Sequence, residues 1–521
     1  MHDTPKTIYF RLNRADLLES LPKKILPFLP FGWKLKTLSL TKERQDFYDT
    51  FEWQAFSKGV VIIKTKRVLS LADLNTGHEI TSVPFTGNPV SFFSDALSTG
   101  KLKEKLCSCS NIRAFTRLCS MNVSIRSYQI LDDNEKTLAI LSAKSLSLTN
   151  RDKPKSFMHL FSLSPLKGYE KEITLIETSL LDNDEACSML DFREFFGLIM
   201  KAAGHNVQDY SSKIRLTLNP NAPVHESAQR LLQFTCSVMR QNEDGIKKNI
   251  DSEFLHDYRV AIRRTRSILK QLKGVFDTSE IAYYLNFFRD LGRRTNELRD
   301  SDVYLLRQTT YFHYLPPLLR PSLKLFFSDI ALSRKTKHKQ FCNYIASDDY
   351  LSFLDKWDAF INRPSLPETE LAPNASLSTM NVAVETIKKA LKKVIRHGRL
   401  ISQETTDAEL HRLRIDCKKL RYLLEFFASI FPHKTIIPVI MQLKELQENL
   451  GDFVDFAVQL RFLHEQLELM PADKLLAAST GGLMAILFQK QEEARLKFNK
   501  TFKSFDNEET SHLFNDLLTS T

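Results

Sequence analysis

The chain has 521 residues, is 43% hydrophobic and 26% charged, and carries a formal net charge of +11, with an isoelectric point near 9.1. These are ordinary values for a soluble globular protein of two to four domains. They leave no room for a membrane span: no apolar run approaches the roughly 20 residues needed to cross a bilayer.

The opening Met1-His2-Asp3-Thr4-Pro5-Lys6 lacks the charged-then-apolar layout of a signal peptide. The seven cysteines are odd in number and scattered. No second cysteine pair or histidine pair completes a zinc spacing with Cys107 and Cys109. The reading is a cytoplasmic protein with reduced thiols, no bound metal and no cofactor. The basic excess points to a polyanionic partner, whether nucleic acid, an anionic membrane or a phosphate polymer.

Residues 1 to about 175 read as short β-rich segments. Ile8–Leu12, Gly59–Lys64 and Asn122–Arg126 are separated by turn formers such as Asn75-Thr76-Gly77, Thr86-Gly87-Asn88-Pro89 and Asp132-Asp133-Asn134. A helix is expected over 184–203 and one more strand over Lys213–Leu218. Asn219-Pro220-Asn221-Ala222-Pro223 then ends the region.

Phe47-Tyr48-Asp49-Thr50, followed by Phe56-Ser57-Lys58-Gly59-Val60 and Lys64-Thr65-Lys66, resembles a segment of the CYTH family, the triphosphate-tunnel β-barrels. That resemblance implies a degenerate, β-barrel-like antiparallel domain over residues 1–218. Active members open with Glu-x-Glu-x-Lys, whereas the corresponding strand here reads Thr7-Ile8-Tyr9-Phe10-Arg11. Tunnel hydrolysis needs clustered carboxylates to hold a divalent metal against a triphosphate, so the loss of both glutamates argues against catalysis.

From Glu226 onward the hydrophobic period is helical. Four amphipathic segments are expected in each half: 224–244, 252–275, 279–310 and 322–358, then 377–402, 406–430, 434–468 and 474–505. A Pro-, Ser- and Asn-containing stretch, 363–376, reads as the linker. The expected arrangement is two four-helix bundles, 222–362 and 377–510.

The chain writes one helix-sized phrase twice. Leu255-His256-Asp257-Tyr258-Arg259-Val260-Ala261-Ile262-Arg263-Arg264-Thr265-Arg266 returns as Leu410-His411-Arg412-Leu413-Arg414-Ile415-Asp416-Cys417-Lys418-Lys419-Leu420-Arg421. The offset, 411 − 256 = 155, continues without a gap: Arg289 falls on Lys444, Asp300 on Asp455 and Val303 on Val458. An internal repeat of this length predicts two similar structural units.

At about 100° per residue, His256, Arg259, Arg263, Arg266 and Lys270 share one helical face, while Tyr258, Ile262, Leu269 and Leu272 share another. His411, Arg414, Lys418 and Arg421 repeat the pattern. A stripe of one sign without i,i+4 carboxylates repels itself, and a polyanion lying along it would relieve that repulsion. Arg293 and the Arg334–Lys339 run, which includes His338, add to the cations. Arginine offers a planar fork that suits phosphate oxygens, and lysine offers a compact charge. A histidine among cations has little tendency to protonate and suits a neutral donor role. Neither copy has a nearby Ser, Cys or paired carboxylate with the geometry of a catalytic set.

The doubled phrase, together with Leu298-Arg299-Asp300-Ser301-Asp302-Val303, resembles the CHAD family, the conserved-histidine α-helical domain, over residues 222–510. The second half departs from it, with Phe453-Val454-Asp455 in place of Leu-Arg-Asp. The resemblance implies an α+β multidomain chain whose helical part is two pseudo-twofold-related four-helix bundles around a basic pore. It implies non-catalytic binding of inorganic polyphosphate, and association with polyphosphate granules would be compatible with it. It carries over His256, Arg259, Arg263, Arg264, Arg266, His411, Arg414, Lys418, Lys419 and Arg421. The stripe and its neighbours add Lys270, Arg289, Arg293, His338 and Lys444. Two alternatives stand beside this reading: a CYTH-type tripolyphosphatase, and a nucleic-acid-binding protein. The basic stripe is interleaved with aliphatic residues, not with the aromatic platforms that single strands favour, and no nucleic-acid motif is present.

Overall fold

A computed structural model describes residues 7–12, 22–23, 25–149, 157–169, 171, 174, 176–178, 187–364, 371–402, 404–469 and 473–519. The chain divides into two compact units, Met1–Ser211 and Ser212–Thr521. None of the described helices is long and apolar enough to cross a membrane.

The described strands of the first unit are β1 (Ile8–Leu12), β2 (Lys34–Asp49), β3 (Val60–Thr65), β4 (Val68–Asp73), β5 (Glu79–Pro84), β6 (Ser91–Phe92), β7 (Phe115–Leu131), β8 (Thr137–Leu148), β9 (Met158–Pro165) and β10 (Cys187–Leu190). They form one antiparallel sheet in the order β10-β1-β9-β8-β7-β2-β3-β4-β5, with β6 beside β7. Two short helices, α1 (Gln54–Ser57) and α2 (Lys101–Cys109), lie between strands. The turn entering α1 is organised by Asp49, whose carboxylate accepts the backbone N–H groups of Thr50, Ala55 and Phe56.

The helix expected over 184–203 is shorter. Residues 184–186 lie outside the described residues; of the described part of the range, Ser188 to Leu190 pair with β1 as part of β10 and α3 (Phe192–Ala202) is the helical stretch. The reason is local: Asp191 and Glu194 form a reciprocal capping box that starts the helix at Phe192. Phe192, Phe195, Phe196, Ile199 and Met200 recur at helical spacing and are all buried. They pack with Val61, Met121, Val123, Leu146 and Leu160 of the sheet, and Tyr9 lies against the same cluster. Gly77, at φ +71°, has the Phe192 ring where a side chain would stand.

The expected strand over Lys213–Leu218 does not form. Its polar backbone groups go to side chains of the helical unit instead: Thr217 O accepts from Arg230 at 2.8 Å and Leu218 N–H donates to Ser429 Oγ at 3.0 Å.

In the second unit the first half comprises α4 (Val224–Lys247), α5 (Ser252–Gln271), α6 (Thr278–Arg294), α7 (Asn296–Tyr314), α8 (Arg320–Ile345) and α9 (Asp348–Ile361). The second half comprises α10 (Thr379–Arg399), α11 (Asp407–Phe426), α12 (His433–Leu469), α13 (Lys474–Phe505) and α14 (Glu508–Thr519). The segment expected as one helix over 279–310 is broken at Thr295. There the Thr295 hydroxyl donates to Gly292 O at 2.8 Å, and Arg259 donates to the same carbonyl at 3.0 Å. Side chains thus compete for a carbonyl of the last turn of α6. The segment over 322–358 is broken at Ser347, which caps α9 by accepting from Tyr350 N–H. The helix α14 extends past the expected end of the second bundle.

The two halves meet along equivalent elements. Val224 N–H donates to Leu377 O at 2.8 Å and Thr379 N–H donates to Ala222 O at 2.9 Å. These residues are related by the repeat offset, 379 − 224 = 377 − 222 = 155. The halves also share a core: Tyr304, Tyr311, Leu323, Phe326 and Phe327 of the first half pack in one cluster with Leu463, Leu476, Leu483 and Leu487 of the second. Full burial of such side chains is worth roughly 1.5–3 kcal/mol each, so this seam contributes to stability as a core does.

Candidate functional site

Each copy of the basic phrase lies on a well-capped helix. Asp251 accepts the Glu253 and Phe254 N–H groups at the start of α5, and Thr406 and Glu409 form a capping box at the start of α11. In α5, Leu255, Tyr258, Ile262 and Leu269 are buried, which turns the predicted cationic face away from the core.

A cavity of about 440 Å³ lies between the two halves. Its lining follows the repeat. Arg259 stands with Arg414, Arg263 with Lys418, Asp300 with Asp455, Val303 with Val458, and Tyr304 with Gln459; His256 and Arg299 of the first half and Phe462 of the second complete it. Arg414 bonds Asp455 Oδ1 at 2.9 Å. Arg259 takes different partners, Gly292 O, Thr295 Oγ1 and Asn296 Oδ1. The Nε atoms of Arg263 and Arg414 and the hydroxyl of Tyr304 are buried with no hydrogen-bond partner. A buried polar group without a partner is costly, and these three atoms belong to side chains that line the cavity.

The cavity's electrostatics are those of crowded cations. Burial, then Arg414 and Arg263, push the Lys418 ammonium down to about 8. Burial and Arg263 push the Arg259 guanidinium down to about 10. His411 does not line the cavity, but burial together with Arg414, Lys418 and Arg461 holds its imidazole below the ordinary value. Its neutral form is favoured, as expected for a histidine among cations.

Arg266, Arg289 and Arg293 line an adjoining groove of about 280 Å³ that shares Arg259 and Arg263 with the central cavity. Lys270 and Lys419 line a third cavity of about 740 Å³. The other five candidates fall outside these spaces. Arg264 is buried and bonds Ser212 O and Glu425. Arg421 pairs with Glu425 at 3.1 Å, and Lys444 with Glu448 at 3.5 Å. His338 Nε2 lies 2.7 Å from Ile246 O at the end of α4, and His411 lies at the surface with its ring partly covered. Arg299, Tyr304, Gln459 and Phe462 line the cavity without having been singled out as site residues. Asp300, Asp455, Val303 and Val458 had a visible signal, since they keep the 155-residue register downstream of the phrase.

In the first unit, the strand that would carry the glutamates of an active tunnel is packed instead. Tyr9 stacks on Phe195 at 6.1 Å and leans on Phe192 at 5.8 Å, and Thr7 Oγ1 meets Ser164 Oγ at 3.1 Å. Lys144 lies over the Tyr9 ring at 5.4 Å. Aromatic rings, a hydroxyl pair and an ammonium are a poor donor set for a divalent ion, which takes oxygen ligands and preferably carboxylates. Among the described residues no cluster of three His, Cys, Asp or Glu side chains could hold a metal.

An uncharacterized protein of Mycobacterium tuberculosis (strain CDC 1551 / Oshkosh) is 25% identical over 286 residues, which are 53% of this chain and 50% of that protein. The chain thus spans about half the length of the curated relatives it matches. Among solved structures, the CHAD domain from the plant Ricinus communis aligns with TM-score 0.49 and 22% identity, over 56% of this chain and 94% of that one. A putative adenylyl cyclase from Hippeastrum, described as having a dominant triphosphatase activity, aligns with TM-score 0.24 and 16% identity, over 34% of this chain and 86% of that one. The model of the CHAD domain family matches residues 230–464, the stretch that holds both copies of the basic phrase, and the chain therefore carries a CHAD domain.

Proposed function

We propose that the helical unit binds inorganic polyphosphate in the cavity between its halves and does not hydrolyse it. One observation carries this reading: the repeat delivers cations in matched pairs, Arg259 with Arg414 and Arg263 with Lys418, into one cavity where arginine donors lack partners. A polyanion supplies what this arrangement wants. Its phosphate oxygens accept from the guanidinium forks, and its charge offsets both the burial that chiefly holds Lys418 and Arg259 down and the neighbouring cations that add to it. Asp300 and Asp455 orient the cations and are not a hydrolytic pair, since Asp455 is held by Arg414. The first unit does not supply catalysis, because Thr7 and Tyr9 are engaged in packing where a metal-binding pair would stand. The protein acts in the cytoplasm, where the polymer would be met free or at granules.

The test is competition binding of long-chain polyphosphate against DNA, RNA and tripolyphosphate at two salt concentrations. Long-chain polyphosphate should win at both. DNA or RNA binding as tightly at the higher salt would overturn the reading in favour of general polyanion capture.

A further inference from the structure

The repeat makes the central cavity symmetric, but the spaces leading away from it are not. In the first half the groove beyond Arg263 holds Arg266, Arg289 and Arg293, with Lys270 one turn further along α5. The nearest carboxylate, Asp290, is shared by Arg289 at 3.7 Å and Arg293 at 3.6 Å. Four cations thus face one carboxylate. Position 292 in this groove is glycine, so no side chain stands there; the atoms nearest to a Cβ built on it are Arg266 Nη1 at 3.8 Å and Ile262 Cγ2 at 3.9 Å.

Adding 155 to each position gives the second half's counterpart: Arg421, Lys444, Glu445 and Glu448, with Glu425 in place of Lys270 and Gln447 in place of Gly292. Two cations now face three carboxylates. Arg421 is held by Glu425 at 3.1 Å, and Lys444 by Glu448 at 3.5 Å. The Gln447 side chain is buried and donates to Cys417 O at 2.6 Å, so it fills the space that Gly292 leaves open.

We infer that a polyphosphate chain leaves the central cavity on one side only, along the first-half groove through Arg266, Arg289 and Arg293 to Lys270. This rests on the reading that the central cavity binds polyphosphate. The chain's onward path is also basic. Five lysines, Lys270, Lys273, Lys389, Lys393 and Lys419, line the 740 Å³ cavity against two carboxylates, Glu385 and Asp416, and this cavity receives the next stretch of polymer. Lys393 and Lys419 are held at its wall by the buried Asp416, at 2.9 and 3.5 Å. On the other side Glu425 and Glu448 repel the polymer and Gln447 blocks it. The site is therefore directional, and its affinity grows with chain length through contacts in the first-half groove and in the lysine-lined cavity beyond it, to which Lys389, Lys393 and Lys419 of the second half contribute.

The experiment exchanges residues between the halves. Lys270→Glu with Arg293→Glu writes the second half's charges into the first. Arg421→Glu with Lys444→Glu makes a charge change of the same size on the other side. Gly292→Gln leaves charge alone and fills the groove. Polyphosphate and tripolyphosphate binding are measured for each full-length variant, with circular dichroism as the check on folding. K270E/R293E and G292Q should each weaken long-chain binding about tenfold or more, with a shallower salt dependence as phosphate contacts are lost, and should leave tripolyphosphate within about twofold. R421E/K444E should change neither by more than about twofold. Equal losses from the two charge pairs, or none from K270E/R293E and G292Q, would overturn one-sidedness while leaving the cavity reading intact. The cavity reading fails separately, and this inference with it, if Ala at Arg259, Arg263, Arg414 and Lys418 leaves long-chain binding unchanged.

Discussion

Pro223 and Ser378 face each other in an isolated antiparallel bridge, and they are separated by the repeat offset itself, 378 − 223 = 155. Each residue of the repeat thus meets its own counterpart at this point, which is what a local twofold axis requires. The same relation recurs where α5 and α11 present Arg259 with Arg414 and Arg263 with Lys418 to one cavity. A duplicated sequence that pairs with itself brings two copies of a basic helix face to face, and the resulting charge density is one that neither copy could create alone.

The seam beside that bridge should matter for stability. Thr379 is buried; its hydroxyl donates to Ala222 O at 2.9 Å and meets Ser227 Oγ at 2.8 Å. Thr379→Val keeps the shape and the backbone bond from residue 379 to Ala222 O but removes the hydroxyl that meets the buried Ser227 Oγ, a loss of about 1–3 kcal/mol. Denaturant unfolding of the full chain should show this loss, and should recover part of it in a Ser227→Ala/Thr379→Val double variant. Additive losses would contradict a coupled pair.

Within the basic stripe, binding and stability should separate by residue. Arg259 donates to Gly292 O, Thr295 and Asn296 and so holds the break between α6 and α7. Arg259→Ala should therefore cost about 1–3 kcal/mol as well as polyphosphate affinity. Arg263 makes no such tie, and its Nε is unpartnered. Arg263→Ala should weaken binding with the melting temperature unchanged or raised. The quadruple Ala variant at Arg259, Arg263, Arg414 and Lys418 should abolish binding while keeping most of its helicity. Replacing Lys101, Lys103 and Lys105 of the first unit should have far less effect. A melting temperature that fell equally for Arg259→Ala and Arg263→Ala would show that the stripe acts as one structural element.

Much of this site could be read from the repeat, and the rest could not, for identifiable reasons. Periodicity placed His256, Arg259, Arg263 and Arg266 on one face of a helix, and the unbroken register carried Asp300, Asp455, Val303 and Val458 into the cavity lining. Periodicity left Arg264 off that face and only the family resemblance made it a candidate; the structure ties it to Ser212 O and Glu425 instead. The expectation of a stripe without i,i+4 carboxylates fails in the second copy, where Glu425 stands four residues after Arg421 and pairs with it, as Glu448 does with Lys444; a match of cations to cations passes over the acids beside them. The break at Thr295 has no proline to announce it and depends on Arg259, a residue distant in sequence. In the first unit the strand character of Ile8–Leu12 and Asn122–Arg126 was plain from composition. The packing of α3 across Tyr9 was not, since it depends on pairing between segments far apart in the chain.

The first unit should be inert towards condensed phosphates. With magnesium or manganese, purified protein should release no phosphate from tripolyphosphate or nucleoside triphosphates above background, because Tyr9 is stacked into an aromatic cluster and Thr7 is tied to Ser164. Metal-dependent release that disappears on changing a carboxylate of this unit would refute the assignment.

Lys418 should make binding and stability depend on pH in opposite directions. Its ammonium is pushed down to about 8 in the folded protein, by burial first and then by Arg414 and Arg263. The ordinary value is about 10.4. A bound polyanion favours the protonated form, so polyphosphate affinity should fall as pH rises through about 8, as free protein loses the proton that the complex needs. Stability runs the other way. Below pH 8 the group is charged whether the chain is folded or not, and the folded state bears the full cost of the buried cation. Between about 8 and 10.4 the unfolded chain binds more protons than the folded one, so unfolding becomes harder as pH rises, by roughly 3 kcal/mol at most from this residue. Lys418→Met should therefore be more stable than wild type at pH 7, with the difference shrinking towards pH 10. It should also bind polyphosphate more weakly at pH 7, without the loss of affinity near pH 8. Thermal melts and binding titrations of the two proteins from pH 6.5 to 10 give both curves. A Lys418→Met variant that is less stable at pH 7, or that keeps the wild-type fall in affinity, would show that Lys418 is not the group that couples the cavity to the proton.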